Sequence, residues 1–387
     1  LTMSIFALAL ALAASDPSSD PSSAPWTTLP ITIIFVDDVG NELLAIAHTP
    51  VLDALAAGGL TFRQAWSYPN CSAARAALLT GRHATRTGVG SVLKWTDWDQ
   101  PGLAYAETTF AELLPEPVHM FGKWHVSFRH TDPNTQGFDH YAGSLANLNG
   151  TGVGYYNWLK TVNGTTAKET EYATKVTTDD ALASTARLRL VAYHASHSPY
   201  ENPPGGTATT DGRKVIEMIE YLDRDIGRLL EGYYGYVFWI SDNGTPQQFG
   251  GEKGSLSEAG VNVRFVVHGP GIVPGTTNAL VNVVDVFATL AEMRGVPSFA
   301  EDSVSFLPVM RGLRGRRTTN YVETFKPNGD TTNRKWAIRS RSHKLRFVRF
   351  PVPREDLYRM PGEVLVQPPY GPADQAAYDF LKSQLPF

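Results

Sequence analysis

Two hydrophobic rhythms alternate along this chain. Ile31 to Val36 is an almost unbroken run of apolar, β-branched residues, which predicts a strand buried on both faces. It ends abruptly in Asp37-Asp38. Tyr236 to Ser241 is a second such run and ends in Asp242-Asn243. Leu188 to Ala192, leading towards His197, and Val263 to Val267 predict two more strands. Helical signals lie between them. Thr49-Pro50 reads as a cap with proline in the first turn, and Gly58-Gly59 as the stop. Val215, Ile216, Ile219, Leu222, Ile226, Leu229 and Leu230 recur at helical spacing, and Val286 to Met293 precedes Gly295. Such alternation predicts an α/β fold: a large, mainly parallel or mixed sheet flanked by helices. After about residue 305 the pattern changes. Trp336 to Ser340 and Lys344 to Phe350 read as paired strands, and Ala373 to Leu385 as a closing helix. The expected organisation is a signal peptide and linker over 1–25, a main α/β domain over 26–305, and a small C-terminal α+β subdomain with antiparallel strands over 306–387.

Composition narrows the function. The 387 residues are 42% hydrophobic and 19% charged, an ordinary globular balance. The net charge of -4 argues against wholesale nucleic-acid binding. Charge is uneven, however: residues 311–354 carry thirteen Lys/Arg against Glu323 and Asp330. We read this excess as solvated strand faces rather than as a polyanion-binding surface. Residues 4–14 form an apolar run too short to span a bilayer, followed by a Ser/Pro/Asp stretch. That pattern predicts export to a periplasmic or extracellular space, with no stable membrane span. Asn70, Asn149, Asn163 and Asn243 begin Asn-x-Ser/Thr sequons.

The chain has one cysteine, so no internal disulfide is possible. Cys71 precedes an apolar run that ends in Thr80-Gly81, a short helix with a glycine stop, and Arg75 stands one turn on. A buried small hydrophobe, a reactive thiol and a modification site all remain open for Cys71. Asp37, Asp38, Asp242 and Asn243 offer only oxygen ligands. A turn or helix cap accounts for either cluster alone. Two clusters at two strand ends point instead to a hard cation, Ca²⁺ or Mg²⁺. Lys123, His125, His197 and Lys253 are the candidate cations and proton carriers. Lys123 and His125 alternate along Gly122-Lys123-Trp124-His125, so an extended chain would face both to one side. His48, His119 and His194 read as buried histidines with satisfied hydrogen bonds.

These segments together resemble the sulfatase family. The resemblance rests on Ile33-Ile34-Phe35-Val36-Asp37-Asp38-x-Gly40, Cys71-x-Ala73-x-Arg75, Leu79-Thr80-Gly81-Arg82, Gly122-Lys123-Trp124-His125, His197-Ser198-Pro199, Ser241-Asp242-Asn243-Gly244 and Lys253-Gly254-Ser255-Leu256-x-Glu258-x-Gly260, in the family's order. It implies an α/β sulfuric ester hydrolase of the arylsulfatase type, in the alkaline phosphatase superfamily, acting on small-molecule or saccharide sulfate esters. It implies that a formylglycine-generating maturation enzyme converts Cys71 to formylglycine, whose hydrate is the nucleophile. It implies one Ca²⁺ held by Asp37, Asp38, Asp242, Asn243 and residue 71. Arg75 and Lys123 would hold the diol, His197 and Lys253 would bind sulfate and protonate the leaving alcohol, and His125 would take the proton that lets the aldehyde reform. Two positions depart from the family pattern: Ala73 stands where it has proline, and Ala259 where it has glycine. Asn243 points to sulfate esters, since the related phosphonate monoester hydrolases resemble a pattern with histidine there. The alternatives are a phosphate or phosphonate ester hydrolase of the same superfamily, or an inactive homologue that binds sulfated glycans with Cys71 unmodified.

Overall fold

A computed structural model describes residues 26–94, 96, 100–349 and 352–387. The expected signal peptide and linker, residues 1–25, lie outside the described residues. The main sheet has ten strands: β1 (Ile31–Val36), β2 (Leu60–Trp66), β3 (Val118–Gly122), β4 (His140–Gly143), β5 (Trp158–Val162), β6 (Thr165–Glu169), β7 (Leu188–Ala192), β8 (Tyr236–Ser241), β9 (Phe265–His268) and β10 (Gly275–Asn282). Their order is β10-β2-β9-β8-β1-β7-β3-β4-β5-β6. The central block β8-β1-β7-β3-β4 is parallel. The hairpin β5–β6 closes one side in antiparallel fashion, and β9 runs antiparallel to both β8 and β2.

The six residues of β1 are all buried, as its continuous apolar run requires. Ile31, Ile33 and Phe35 enter one core and Ile34 and Val36 the other, so the sheet is covered on both faces. Five longer helices provide the cover: α1 (Pro50–Gly58), α2 (Cys71–Thr80), α3 (Ala173–Leu182), α4 (Asp211–Leu229) and α5 (Asp285–Arg294). α2 and α5 pack on the first face, and α1, α3 and α4 on the second. The helical stripe of α4 is buried at every apolar position named from its spacing up to Leu229.

The α/β expectation holds, with three differences of detail. The strand expected over Val263 to Val267 begins at Phe265, and it is antiparallel to its neighbours. Periodicity reports which face is buried, not strand direction. β2, β3 and β10 escape notice in the sequence because Arg63, His119 and Gly275–Asn278 break their apolar runs. His48 is exposed rather than buried.

The small sheet is antiparallel, in the order β11 (Asn320–Thr324), β12 (Lys335–Arg339), β13 (His343–Val348), β14 (Arg354–Arg359) and β15 (Val364–Val366). Tyr321, Trp336, Ile338, Leu345 and Leu357 bury one face together with Leu381 of α6 (Pro372–Ser383). Val322 and Ala337, on the opposite face, join the main core. The basic stretch needs correction here. Lys326, Lys335 and Arg341 are exposed, but Lys344 is fully buried between Glu258 and Glu363, at 3.3 and 2.8 Å. Arg339 is buried 2.7 Å from Glu258, and Arg317 pairs with buried Asp285. Part of the positive charge is therefore a seam that ties the small sheet to the main domain. No helix among the described residues is long and apolar enough to cross a membrane.

Candidate active site

Strand register assembles the site. Val36 stands opposite Ser241, and Ala192 opposite both Phe35 and Gly122. Hydrogen bonding continues one residue past the strands: Asp242 N–H donates to Val36 O (3.0 Å), Tyr193 N–H to Phe35 O (2.8 Å) and Lys123 N–H to Ala192 O (2.7 Å). Asp37, Asp242 and Lys123 are thus brought together at the carboxyl edge of the parallel block, where open α/β sheets place their sites. The N-terminus of α2 delivers Cys71 to the same place, and Gly81 stops that helix with φ 67°.

The site residues named from the sequence converge. Ligand atoms of Asp37, Cys71 and Asp242 lie within 4.8 Å of one another, as do those of Asp37, Asp38 and His197. Arg75 reaches Asp37 at 3.0 Å, Asp242 at 3.6 Å and the carbonyl of Lys123 at 2.7 Å. Lys123 Nζ also pairs with Asp37. Lys253, on the β8–β9 connection, pairs with Asp38 at 2.5 Å. Asn243 donates to Asp38 at 2.8 Å. His125 Nδ1 lies 3.4 Å from Cys71 Sγ. Lys123 and His125 do share the pocket, but not through simple alternation. β3 ends at Gly122, and His125 has φ 57°, so a turn rather than an extended chain aims the imidazole.

Electrostatics separates the two central carboxylates. Burial alone would raise Asp37, but Lys123, His197, Arg75 and Lys253 overcome it and hold Asp37 well below the usual carboxylate range. Asp242 goes the other way. Burial, and then the Asp37 charge, push it up to about 8. Burial, reinforced by Lys123 and Arg75, keeps His125 well below the ordinary histidine value, and burial also lowers His197. Burial raises the Cys71 thiol.

Three oxygens bear on metal binding. Asp37 Oδ1, Asp242 Oδ2 and Asn243 Oδ1 are buried without a hydrogen-bond partner. Buried polar atoms are seldom left unpaired. Three such oxygens around two carboxylates fit a hard cation of the Ca²⁺ class, which would satisfy them and offset the charge that raises Asp242. Asp38 completes the oxygen set, although here it faces Lys253 and Asn243.

Several supporting residues give no sequence signal. Ser72 Oγ lies 3.4 Å from His125 Nδ1, and the Leu93 carbonyl lies 2.8 Å from His125 Nε2. Both act through backbone placement or a single hydroxyl, which no motif marks. Glu258 had a signal, its place in the Lys253-to-Gly260 segment. It anchors Arg339 and Lys344 rather than the reacting groups. His194 is buried, as expected, and the backbone of Ala146 is the hydrogen-bonding group beside its ring.

Comparison with known proteins identifies the family. Arylsulfatase A of Bos taurus is 27% identical over 88% of this chain and 77% of its own length. The arylsulfatase of Hemicentrotus pulcherrimus is 26% identical over 70% of this chain, which spans 59% of that protein. A solved structure of a protein in complex with its substrate, D-glucosamine-2-N,6-O-disulfate, superposes with a TM-score of 0.76 at 16% identity, covering 92% of this chain and 97% of the other. It shares the fold. The model of the family described as Sulfatase matches residues 33–296, more than half of the chain and the stretch from within β1 past α5. With that match added to the convergent site, the chain belongs to the sulfatase family.

Proposed function

We propose that this protein hydrolyses aryl or carbohydrate sulfate monoesters to an alcohol and inorganic sulfate, using formylglycine made from Cys71 and one Ca²⁺. The observation that carries this reading is the setting of Cys71. Its buried side chain stands at the start of α2, between the Asp37–Asp242 pair and His125. Asp37, Asp38, Asp242, Asn243 and residue 71 would hold the cation, which supplies a fixed positive charge against the anionic ester. The hydrated aldehyde would supply one hydroxyl that passes its proton to Asp242 and bonds to sulfur as the ester O–S bond breaks, and a second whose deprotonation would restore the C=O bond as sulfate departs.

The chain's own groups move the protons. His197 and Lys253 face the sulfate side and give the leaving oxygen its proton. His125 presents Nδ1 to residue 71 and takes the proton of the remaining hydroxyl. Arg75 and Lys123 keep Asp37 ionised and orient residue 71. Cys71 is completely buried, so a maturation enzyme must read its loop before the fold closes. Asn243 supports sulfate over phosphonate esters. The apolar run at 4–14 supports export.

Peptide mass spectrometry across residue 71 tests the reading first: the aldehyde should be found there, and turnover should scale with its fraction. Cys71→Ala retaining turnover would overturn it. His125→Ala should release one alcohol per enzyme in a burst and then stall, with steady-state turnover down about 10²–10⁴-fold. His197→Ala should slow poor leaving groups more than good ones. A higher kcat/KM for phosphonate than for sulfate esters with the same leaving group would move the activity to the related phosphonate hydrolases.

A further inference from the structure

The orientation of His125 is set from an unexpected place, the small C-terminal sheet. His125 Nε2 lies 2.8 Å from the carbonyl oxygen of Leu93. A carbonyl only accepts, so that contact places the ring proton on Nε2. In the neutral ring Nδ1 then carries the lone pair, and it is Nδ1 that lies 3.4 Å from Cys71 Sγ. The same Leu93 is held on its other side, where its N–H donates to Ser72 Oγ at 3.0 Å. The Leu93 peptide thus decides which imidazole nitrogen can act as a base towards residue 71.

Leu93 belongs to no helix or strand. The segment leading to it is fixed by the connection between β11 and β12. Asn328, buried in that connection, accepts from Gly90 N–H at 2.8 Å and Ser91 N–H at 2.9 Å through one oxygen, Oδ1. Its Nδ2 donates to Gln100 Oε1 at 3.3 Å. Phe325 N–H donates to Gly90 O at 3.2 Å, and Gly329 N–H to Gly88 O at 2.8 Å. A side chain at position 90 would meet the Phe325 ring at 2.5 Å, so only glycine lets the two segments lie this close.

We propose that Asn328 is a positioning residue for His125, acting through the Gly90–Leu93 segment to hold the imidazole in the tautomer whose Nδ1 faces residue 71. The inference rests on the role given to His125 above, but its test need not. Removing the carboxamide frees two N–H groups and lets Leu93 drift. Misplacement of a reacting group by about 1 Å can cost roughly 10²-fold in rate.

The direct readout is ¹⁵N NMR of histidine-labelled protein with Cys71 unmodified, the His125 signal being assigned by its loss in His125→Gln. Wild type should show a single Nε2–H tautomer. Asn328→Leu should show a mixture, and Asn328→Asp, which keeps an oxygen at the same place, should restore the single form. In matured enzyme Asn328→Leu should lower kcat by up to about 10²-fold with little change in KM, and Asn328→Asp should recover most of it. Should Asn328→Leu fail to fold, Asn328→Ser, whose short hydroxyl cannot reach both N–H groups, gives the same comparison. An unchanged tautomer in Asn328→Leu or Asn328→Ser overturns the proposal, and so does an Asn328→Asp protein as impaired as Asn328→Leu. A shifted tautomer with no His125→Ala stall would leave the positioning intact and remove the catalytic role instead.

Discussion

Two of the buried charge clusters among the described residues are built differently. Along the seam between the main domain and the small sheet, Lys344 lies between Glu258 and Glu363, and Arg339 meets Glu258 as well. Each cation there has a carboxylate within 3.3 Å, although Glu363 Oε1 makes no hydrogen bond and Glu363 itself has φ 47°. At the carboxyl edge of β1 and β8, Asp37 takes both Arg75 and Lys123, while Asp242 has Arg75 no nearer than 3.6 Å. Three oxygens there have no hydrogen-bond partner, and Asp38 and His125 adopt positive φ. Burying a charge without a partner is costly, so the second cluster persists only because the surrounding sheet and α2 over-determine it. The lesson is that buried charge as such does not mark a site. Several under-bonded oxygens converging on one strand edge, beside a cysteine and a histidine, do.

The comparison breaks most visibly at Asp242. Asp242→Asn should abolish turnover and the rise in thermal stability on adding Ca²⁺, which for a cation present at 100 times its Kd is about 2.7 kcal/mol. Yet without metal this variant should be no less stable than wild type. The sign follows from linkage. The folded value for Asp242 is raised from 3.8 to about 8, so the folded protein keeps a proton that the unfolded chain has lost. Metal-free stability should therefore fall as pH rises through that window, and denaturant midpoints measured from pH 4 to pH 8 should show a shallower fall in Asp242→Asn. A metal-free Asp242→Asn protein that unfolds much more easily would show that the site is paired like the seam.

The seam should behave in the opposite way. Lys344→Ala removes the shared cation between Glu258 and Glu363, but both carboxylates are half-buried and Glu258 keeps Arg339, so the loss should fall below about 3–5 kcal/mol, the cost for a fully buried pair. Urea unfolding should report that loss, while turnover per folded molecule stays near wild type. The smallest effect belongs to His83, beside the seam, whose Nδ1 lies 2.9 Å from the Tyr68 hydroxyl. Burial lowers His83 to about 4, so between pH 6.5 and about 4 the unfolded chain takes up a proton first. That part of the stability is present above pH 6.5 and is lost on acidification. His83→Gln should flatten the slope in this window.

The site's chemistry was more legible in the chain than its scaffold. Asp37-Asp38 and Asp242-Asn243 announced themselves because each closes a continuous apolar run, and Cys71 because it is alone. β2 and β3 did not, since Arg63 and His119 interrupt them. The basic stretch was misread in part, because a lysine destined for burial against two glutamates looks the same in sequence as one destined for solvent. Which of them is buried depends on Glu258 and Glu363, 86 positions before Lys344 in one case and just past β14 in the other.

By itself, then, the chain determined local matters: strands from their apolar runs, α2 from its apolar run and glycine stop, and the residue types able to hold a cation and move protons. These depend on neighbours within a turn or a strand. Only the tertiary structure decided that β9 runs antiparallel, that a positive-φ turn and not an extended chain aims His125, and that Asn328 reaches back to Gly90 and Ser91. Each of those depends on contacts between segments far apart in the chain, and hydrophobic period carries no information about them.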